Sequence, residues 1–338
     1  MSHKIVIRWP NWVGDAVMAM PALKIVRENF PQSHLSILCS TYVKEVVNGA
    51  PWYDDILEIT PSKSKFTNFM AQVQALRQGG FDFGLLLTNS FVTALTFYLA
   101  GIKKRGGYAR DGRGFLLTEA VVPPSEPLYT GEWYRRLLFN FGIQGTWEKP
   151  TLFSTARDKT YFDQLSFASE ISRNQNIIGI APGAQFGSSK LWPVNYWVDL
   201  IHRLVEALGA KIVLLCPPSE LALQQKIIEN LKVPIFHFGI APEKSLTLGL
   251  LKEVIPRLRF LITTDSGIRH FAISYNIPTL VLMGPTDHRL TASVYEQGKV
   301  LREPVECSPC QLRVCPIDHR CMVRLVPEKV FEVAKTLC

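Results

Sequence analysis

The chain has 338 residues, 47% of them hydrophobic and 20% charged, which is enough apolar material for two cores and rules out a disordered polymer. The formal net charge of +8 is spread evenly: residues 1–150 hold 16 Lys and Arg against 12 Asp and Glu, and the remainder 21 against 17, so neither part is a basic tail. No apolar run reaches the roughly 18–20 residues that span a bilayer. The start, MSHKIVIRW, lacks the charged and apolar regions of a signal peptide, so the expected location is the cytoplasm.

In chain order, KIVIRW predicts a strand, and Ala16, Met20, Leu23, Val26 and Phe30 follow at helical spacing. Pro21 lies inside that helix and predicts a kink, or a short helix beginning at Gly14. HLSILCS is a second strand with the helix VKEVVNG after it, and DDILEIT is a third. MAQVQALRQGG reads as a helix ending in glycine, FDFGLLLTN as a strand, residues 91–100 as an apolar helix, and KKRGGYA as an extended segment. The rhythm breaks over residues 123–160, where LYTGEWYRRLLFNFGI reads as an amphipathic helix and TWEKPTLFST as extended chain.

A second series opens at NIIGIAPGA, a strand. It continues with WPVNYWVDLIHRLVEALG (helix), AKIVLLCPP (strand), ELALQQKIIENL (helix), PIFHFG (short strand) and LGLLKEVIPRL (helix). FLITTDS (strand), GIRHFAISYN (helix) and PTLVLMG (strand) complete it. Alternation of this kind predicts an α/β protein of two doubly wound domains, residues 1–160 and 161–338, each a parallel sheet with helices on both faces. Ligands bind such sheets at the carboxyl ends of strands, so two facing domains predict a cleft between those ends.

Three loops carry candidate chemistry. APGAQFGSSKLWP brings Gly183 and Gly187 for close backbone approach, and Ser188, Ser189 and Lys190 as donors ahead of a helix, a set that suits phosphate. It is neither a P-loop nor a dinucleotide fingerprint, and a plain strand–helix connection has the same outline. FLITTDSGIRHFAIS places Asp265, Ser266 and Gly267 at a strand end, with Arg269 and His270 in the helix behind; either Asp265 or Ser266 suits a helix cap, and the amides suit a diphosphate. Asp15, where the first strand hands over to the first helix, fits a capping carboxylate or a catalytic base.

The segment Ile102–Arg113, with Lys103, Lys104, Arg105, Arg110 and Arg113 against Asp111 alone, reads as a basic cluster for an anionic ligand or a solvated loop. Of the seven cysteines, Cys39 and Cys216 end apolar strands and read as buried, and Cys338 closes the sequence. Cys307, Cys310, Cys315 and Cys321, spaced C-x2-C-x4-C-x5-C, fit a structural zinc ion, with His319 as a substitute ligand, or free or partly oxidised thiols.

NWVGDAVMAMPAL, LLLTNSFVTALTFYLAGIKKRGGY, APGAQFGSSKLWP and TTDSGIRHFAISYNIPTLVLMGPTD, in this order over nearly the whole chain, resemble the ADP-heptose:lipopolysaccharide heptosyltransferases, glycosyltransferase family 9. WVGD with TNSF, and CSPCQLRVCPIDHRC near the end, are most similar to the heptosyltransferase II branch. The resemblance implies two Rossmann-like domains in a GT-B arrangement, acceptor-binding first and donor-binding second. It implies inversion at the anomeric carbon without a catalytic metal, and transfer of L-glycero-D-manno-heptose from ADP-heptose to a heptose on the lipid A–Kdo inner core.

By resemblance, Asp15 is the base and Lys190 the phosphate-binding lysine. Gly183, Ser188 and Ser189 belong to the donor loop, as do Asp265, Ser266 (a threonine in some members), Gly267 and His270. Glu220, a looser match, is a ribose ligand. Asn89 and Ser90 would line the acceptor side, with Arg105, Arg110 and Arg113 for its Kdo and phosphate groups. The expected partners are ADP-heptose, the lipid A–Kdo–heptose acceptor and, peripherally, the inner face of the inner membrane. Two alternatives stay open: heptosyltransferase I or III, and a nucleic-acid-binding protein using the basic loop and a zinc module. A diffuse charge without a helix-turn-helix or RNP pattern argues against the last.

Overall fold

The computed structural model describes residues 3–60, 64–173, 175–239 and 245–337; Cys338 lies outside them. The chain divides into two compact units, Met1–Phe153 and Ser154–Cys338. The division falls after Phe153 and not after residue 160, because Ala156–Asp163 is a helix that packs on a helix of the second series, Leu248–Val254.

The first unit runs β1 (Lys4–Arg8), α1 (Val13–Met18), α2 (Met20–Asn29), β2 (His34–Ser40), α3 (Thr41–Val47), β3 (Asp55–Ile59), α4 (Lys65–Gly79), β4 (Phe83–Leu86), α5 (Phe91–Leu99), β5 (Lys104–Tyr108), β6 (Glu119–Val121) and α6 (Thr130–Asn140). The strands form one parallel sheet in the order β3-β2-β1-β4-β5-β6. Pro21 acts as predicted: the helical run breaks at Ala19, and the proline occupies the first turn of α2, where its missing N–H leaves no bond unmade. Val6, Leu38, Leu86, Ala94 and Phe97 belong to the buried core on one side of this sheet.

The second unit opens with two short helices, α7 (Ala156–Asp163) and α8 (Ala168–Arg173), in a stretch for which the sequence reading gave no element. Thr155 and Asp158 start α7 with a reciprocal capping box. Then come β7 (Ile177–Ala181), α9 (Val194–Leu208), β8 (Lys211–Leu214), α10 (Leu221–Ile228), β9 (Phe236–His237), α11 (Leu248–Val254) and β10 (Phe260–Thr264). After these follow α12 (Gly267–Ser274), β11 (Thr279–Leu282), β12 (Gly298–Leu301), α13 (Arg320–Val323) and α14 (Pro327–Lys335). Its parallel sheet has the order β12-β11-β10-β7-β8-β9. Trp192 and Trp197 meet edge to face at 4.8 Å, and the Trp192 indole donates to Leu325 O at 2.8 Å, so the segment before α14 closes over the core of α9.

Each sheet therefore winds outward from its first strand, then returns to that strand's other side. The reversal falls between β1 and β4 in the first unit and between β7 and β10 in the second. At such a switch point the loops leaving neighbouring strands diverge to opposite faces and leave a crevice at their carboxyl ends.

Candidate active site

In the second unit both candidate loops stand at the switch point. Gly183–Lys190 follows β7, and Asp265–Gly267 follows β10. The Thr264 hydroxyl donates to Gly183 O at 2.6 Å and ties the two loops together. The Lys190 ammonium donates to Asp265 Oδ2 at 2.5 Å and to Asp265 O at 3.0 Å, in a pair almost closed to solvent. Thr286 Oγ1 donates to the same carboxylate at 2.7 Å, and Arg269 Nη1 lies 3.3 Å from its other oxygen. Burial alone would raise the Asp265 carboxyl; Lys190 and Arg269, then the hydrogen bonds from Lys190 and Thr286, hold it below the usual carboxylate range.

Arg269 is wholly buried, grips Glu296 with two 2.6 Å hydrogen bonds and reaches Thr291 at 2.9 Å. The cluster is thus an alternating chain of charge, Lys190–Asp265–Arg269–Glu296. Sequence reading singled out neither Glu296 nor Thr286. The GPTD that holds Thr286 was quoted as motif, yet only the fold brings its hydroxyl to Asp265.

Neither of the predicted caps works as one. Ser266 stands at the N-cap of α12 but makes no cap hydrogen bond; its hydroxyl lies 3.1 Å from Thr263 Oγ1. The Asp265 carboxylate is taken by Lys190, Thr286 and Arg269. The amide end of α12, beginning at Gly267, keeps the polarity that attracts an anion. His270 is buried, and that burial, followed by Arg269, drives its pKa far down; it is a neutral imidazole and adds no charge. Glu220 lies under the first loop: a Cβ on Gly183 would fall 1.7 Å from its carboxylate, so a larger residue there would have to displace the Glu220 carboxylate. Burial pushes the Glu220 carboxyl up to about 7.

Ser188 is exposed, whereas Ser189 is buried and committed elsewhere. Its hydroxyl donates to Leu312 O at 2.5 Å, and its amide to Arg313 O at 3.1 Å. The predicted donor Ser189 is therefore a strut to the cysteine-rich segment. Burial, then the nearness of Cys307, Cys315 and Cys310, pushes the Cys321 thiol up to about 11. Among the described residues no three His, Cys, Asp or Glu side chains are arranged to hold an ion, and the six described cysteines are unpaired; the zinc expectation gains no support. Cys39 and Cys216 are buried, as read.

In the first unit Asp15 follows β1, and Asn89 and Ser90 follow β4, again at the switch point. Asp15 is not the helix cap. Trp12 holds that position, and the half-buried Asp15 lies in the first turn of α1. It stands near enough to the buried Tyr134 to help burial keep that hydroxyl protonated. Arg8, which sequence reading passed over, is buried at the end of β1, donates to Trp9 O at 2.6 Å and Asn11 Oδ1 at 2.8 Å, and so braces the turn that leads to Asp15.

The basic cluster is not one patch. β5 runs through it and separates its ends by roughly 16 Å, five residues at ~3.3 Å each. Arg105 sits near the amino end of β5, away from Asn89, and its guanidinium bonds Leu116 O at 2.7 Å and the carbonyl of Ile102. Arg113 is fully buried; it donates to Tyr108 O at 2.9 Å, and its Nη2 lies 3.4 Å from Asn89 Oδ1. Burial lowers its pKa to about 10. Arg105 and Arg113 are therefore braces, and of the three arginines only Arg110 is exposed, its guanidinium 5.4 Å from the centre of the Trp133 ring. Splitting this cluster removes the main support for nucleic-acid binding.

Comparison with known proteins agrees with this geometry. Residues 69–320 match the family model "Glycosyltransferase family 9 (heptosyltransferase)". Lipopolysaccharide heptosyltransferase 2 of Escherichia coli (strain K12) is 26% identical over 313 residues, covering 88% of each chain. Lipooligosaccharide heptosyltransferase 2 of Campylobacter jejuni (serotype O:2) is 27% identical over 340 residues, covering 99% of this chain and 98% of that one. The solved structure of E. coli ADP-heptose lps heptosyltransferase II has the same fold, with a TM-score of 0.80 at 23% identity over 99% of this chain and 98% of that one. Fold, switch-point loops and sequence together make the protein an enzyme of the glycosyltransferase class. The chain belongs to glycosyltransferase family 9, the heptosyltransferases.

Proposed function

We propose that this enzyme transfers L-glycero-D-manno-heptose from ADP-heptose to the first heptose of the lipid A–Kdo inner core, with inversion at the anomeric carbon. The observation that carries the reading is the Lys190–Asp265 pair at the second unit's switch point, linked by Thr264 to the Gly183 loop beside Glu220. It offers a nucleoside diphosphate a cation, a helix N-terminus and a carboxylate for ribose hydroxyls. The two heptosyltransferase 2 relatives support the choice of acceptor position.

In this reading the second unit binds the donor, and Lys190 with the amides of Gly267 and its neighbours stabilises the diphosphate as the sugar–oxygen bond breaks. Asp15 takes the proton of the acceptor hydroxyl whose oxygen forms the new bond. Products are the glycoside, ADP and one proton. Asn89 and Ser90, held by Arg113 and the start of α5, line the acceptor side, and Arg110 faces its anionic groups.

Among the described residues no helix is long and apolar enough to cross a membrane. Phe91, Val92, Tyr98 and Leu99 of α5, with Phe115, are exposed, which supports peripheral docking on the inner membrane. Sedimentation with vesicles tests that docking, and equal recovery with and without anionic lipid refutes a charge-assisted contact. Calorimetric titration with ADP, ADP-heptose, GDP and UDP tests the donor. Preference for the adenine nucleotides is expected, and equal or absent binding refutes the reading. Offering cores that lack or carry the first heptose separates type II transfer from types I and III.

A further inference from the structure

The charges already described at the donor loops cancel. Lys190 faces Asp265, Arg269 faces Glu296 and Asp265, and His270 is neutral. A leaving nucleoside diphosphate adds two or three negative charges, which this neutral set does not balance. The cysteine-rich segment lies against the first of these loops. It is laced to the loop after β7: Ser189 donates through its hydroxyl to Leu312 O and through its amide to Arg313 O, and His319 Nε2 donates to Ser189 O at 2.6 Å. At the loop after β11, Ser308 Oγ donates to Gly284 O at 2.5 Å and Gln311 N to Pro285 O at 2.9 Å, next to the Thr286 that donates to Asp265. The approach is so close that a Cβ on Gly187 would fall 2.2 Å from Arg313 O.

This lacing fixes the backbone of Arg313 and aims its side chain. Its guanidinium lies 5.8 Å from the centre of the Phe186 ring, and the Lys190 ammonium lies 4.9 Å from the same ring. Arg313 is exposed and forms no ion pair with a carboxylate among the described residues. We propose that Arg313 is a second diphosphate-binding cation of the donor site, delivered by the cysteine-rich segment, whose backbone bonds hold it there. The proposal rests on the donor reading given above. An uncompensated guanidinium at the same Phe186 ring as Lys190 lets the site engage two phosphates where the Lys190–Asp265 pair engages one.

The test is calorimetric titration of wild type, Arg313→Gln and Arg313→Lys with ADP, AMP and adenosine, with GDP and UDP as controls. Arg313→Gln should weaken ADP about tenfold, or about 1.4 kcal/mol, while leaving AMP and adenosine within about twofold. Arg313→Lys should recover part of the ADP affinity. The substitutions leave the backbone bonds to Ser189 in place, so the thermal midpoint should not move. Equal ADP affinity in wild type and Arg313→Gln overturns the proposal and leaves the donor reading standing. Equal loss for all three adenine ligands makes Arg313 a structural prop and also overturns it. A wild type that binds ADP no better than GDP or UDP fails the donor reading itself, and the proposal with it.

Discussion

The Lys190 ammonium sits 2.5 Å from Asp265 Oδ2, in a pair with 11% and 5% of its side chains exposed, so the lysine proposed to bind the donor is already neutralised before any ligand arrives. Removing one partner of such a pair leaves a buried charge alone. Lys190→Met should destabilise the second unit by about 3 kcal/mol, the low end for a broken buried pair because Arg269 and Thr286 still face Asp265. The pair Lys190→Met with Asp265→Leu should lose less than the sum of the single changes. Urea midpoints over the double-mutant cycle measure it.

The same carboxylate has a pH signature. Its native pKa lies below the unfolded value of 3.8, so its contribution is complete above that value and is lost as pH falls through the lowered native pKa. Acid unfolding of wild type should therefore steepen below about pH 4. Asp265→Asn should flatten that limb.

Glu220 works in the opposite sense. Burial raises its carboxyl from 4.5 to about 7, so the folded state holds the proton more tightly than the unfolded state. Its contribution is complete below pH 4.5 and is lost as pH rises through about 7. Wild type should lose on the order of 2–3 kcal/mol across that window, and Glu220→Gln should not. Chemical denaturation at pH 4.5, 6 and 8 checks it.

Asp15 lies in the first turn of α1, but Trp12 is the cap, so Asp15→Asn removes basicity without removing a cap. Turnover should fall by about 10²–10⁴, the range for a lost general base. ADP affinity and thermal midpoint should stay near wild type. Steady-state kinetics beside calorimetry decide it, and near-normal turnover would strip Asp15 of the base role.

Gly187→Ala tests the lacing of the cysteine-rich segment. Its Cβ would meet the Arg313 carbonyl, a backbone atom without freedom to step aside. The expected result is about 1–3 kcal/mol of destabilisation together with weaker ADP binding. Loss of stability with unchanged ADP affinity would separate the segment from the proposed donor site.

Much of this was written into local sequence. HLSILCS is β2 to the residue, because a strand in the middle of a parallel sheet is buried on both faces and reads as one apolar run. Pro21 announced the break at Ala19, and the two candidate loops after β7 and β10 were visible from their small and polar residues. The edge strands β6 and β12 escaped notice, being three and four residues long and only half covered. The polar helices α7 and α8 lack an apolar stripe long enough to show a period.

What the sequence by itself determined is the alternation of strands and helices, the place of the loops at strand ends, and the residue types that suit a nucleotide-sugar enzyme. Only the tertiary structure decided the state of those residues. Asp265 neutralises Lys190 from 75 positions away, β5 splits the basic cluster in two, and Ser189 is spent on a segment 123 positions downstream. Burial and ion pairing depend on neighbours that the fold brings in from distant chain, and no local pattern carries that information.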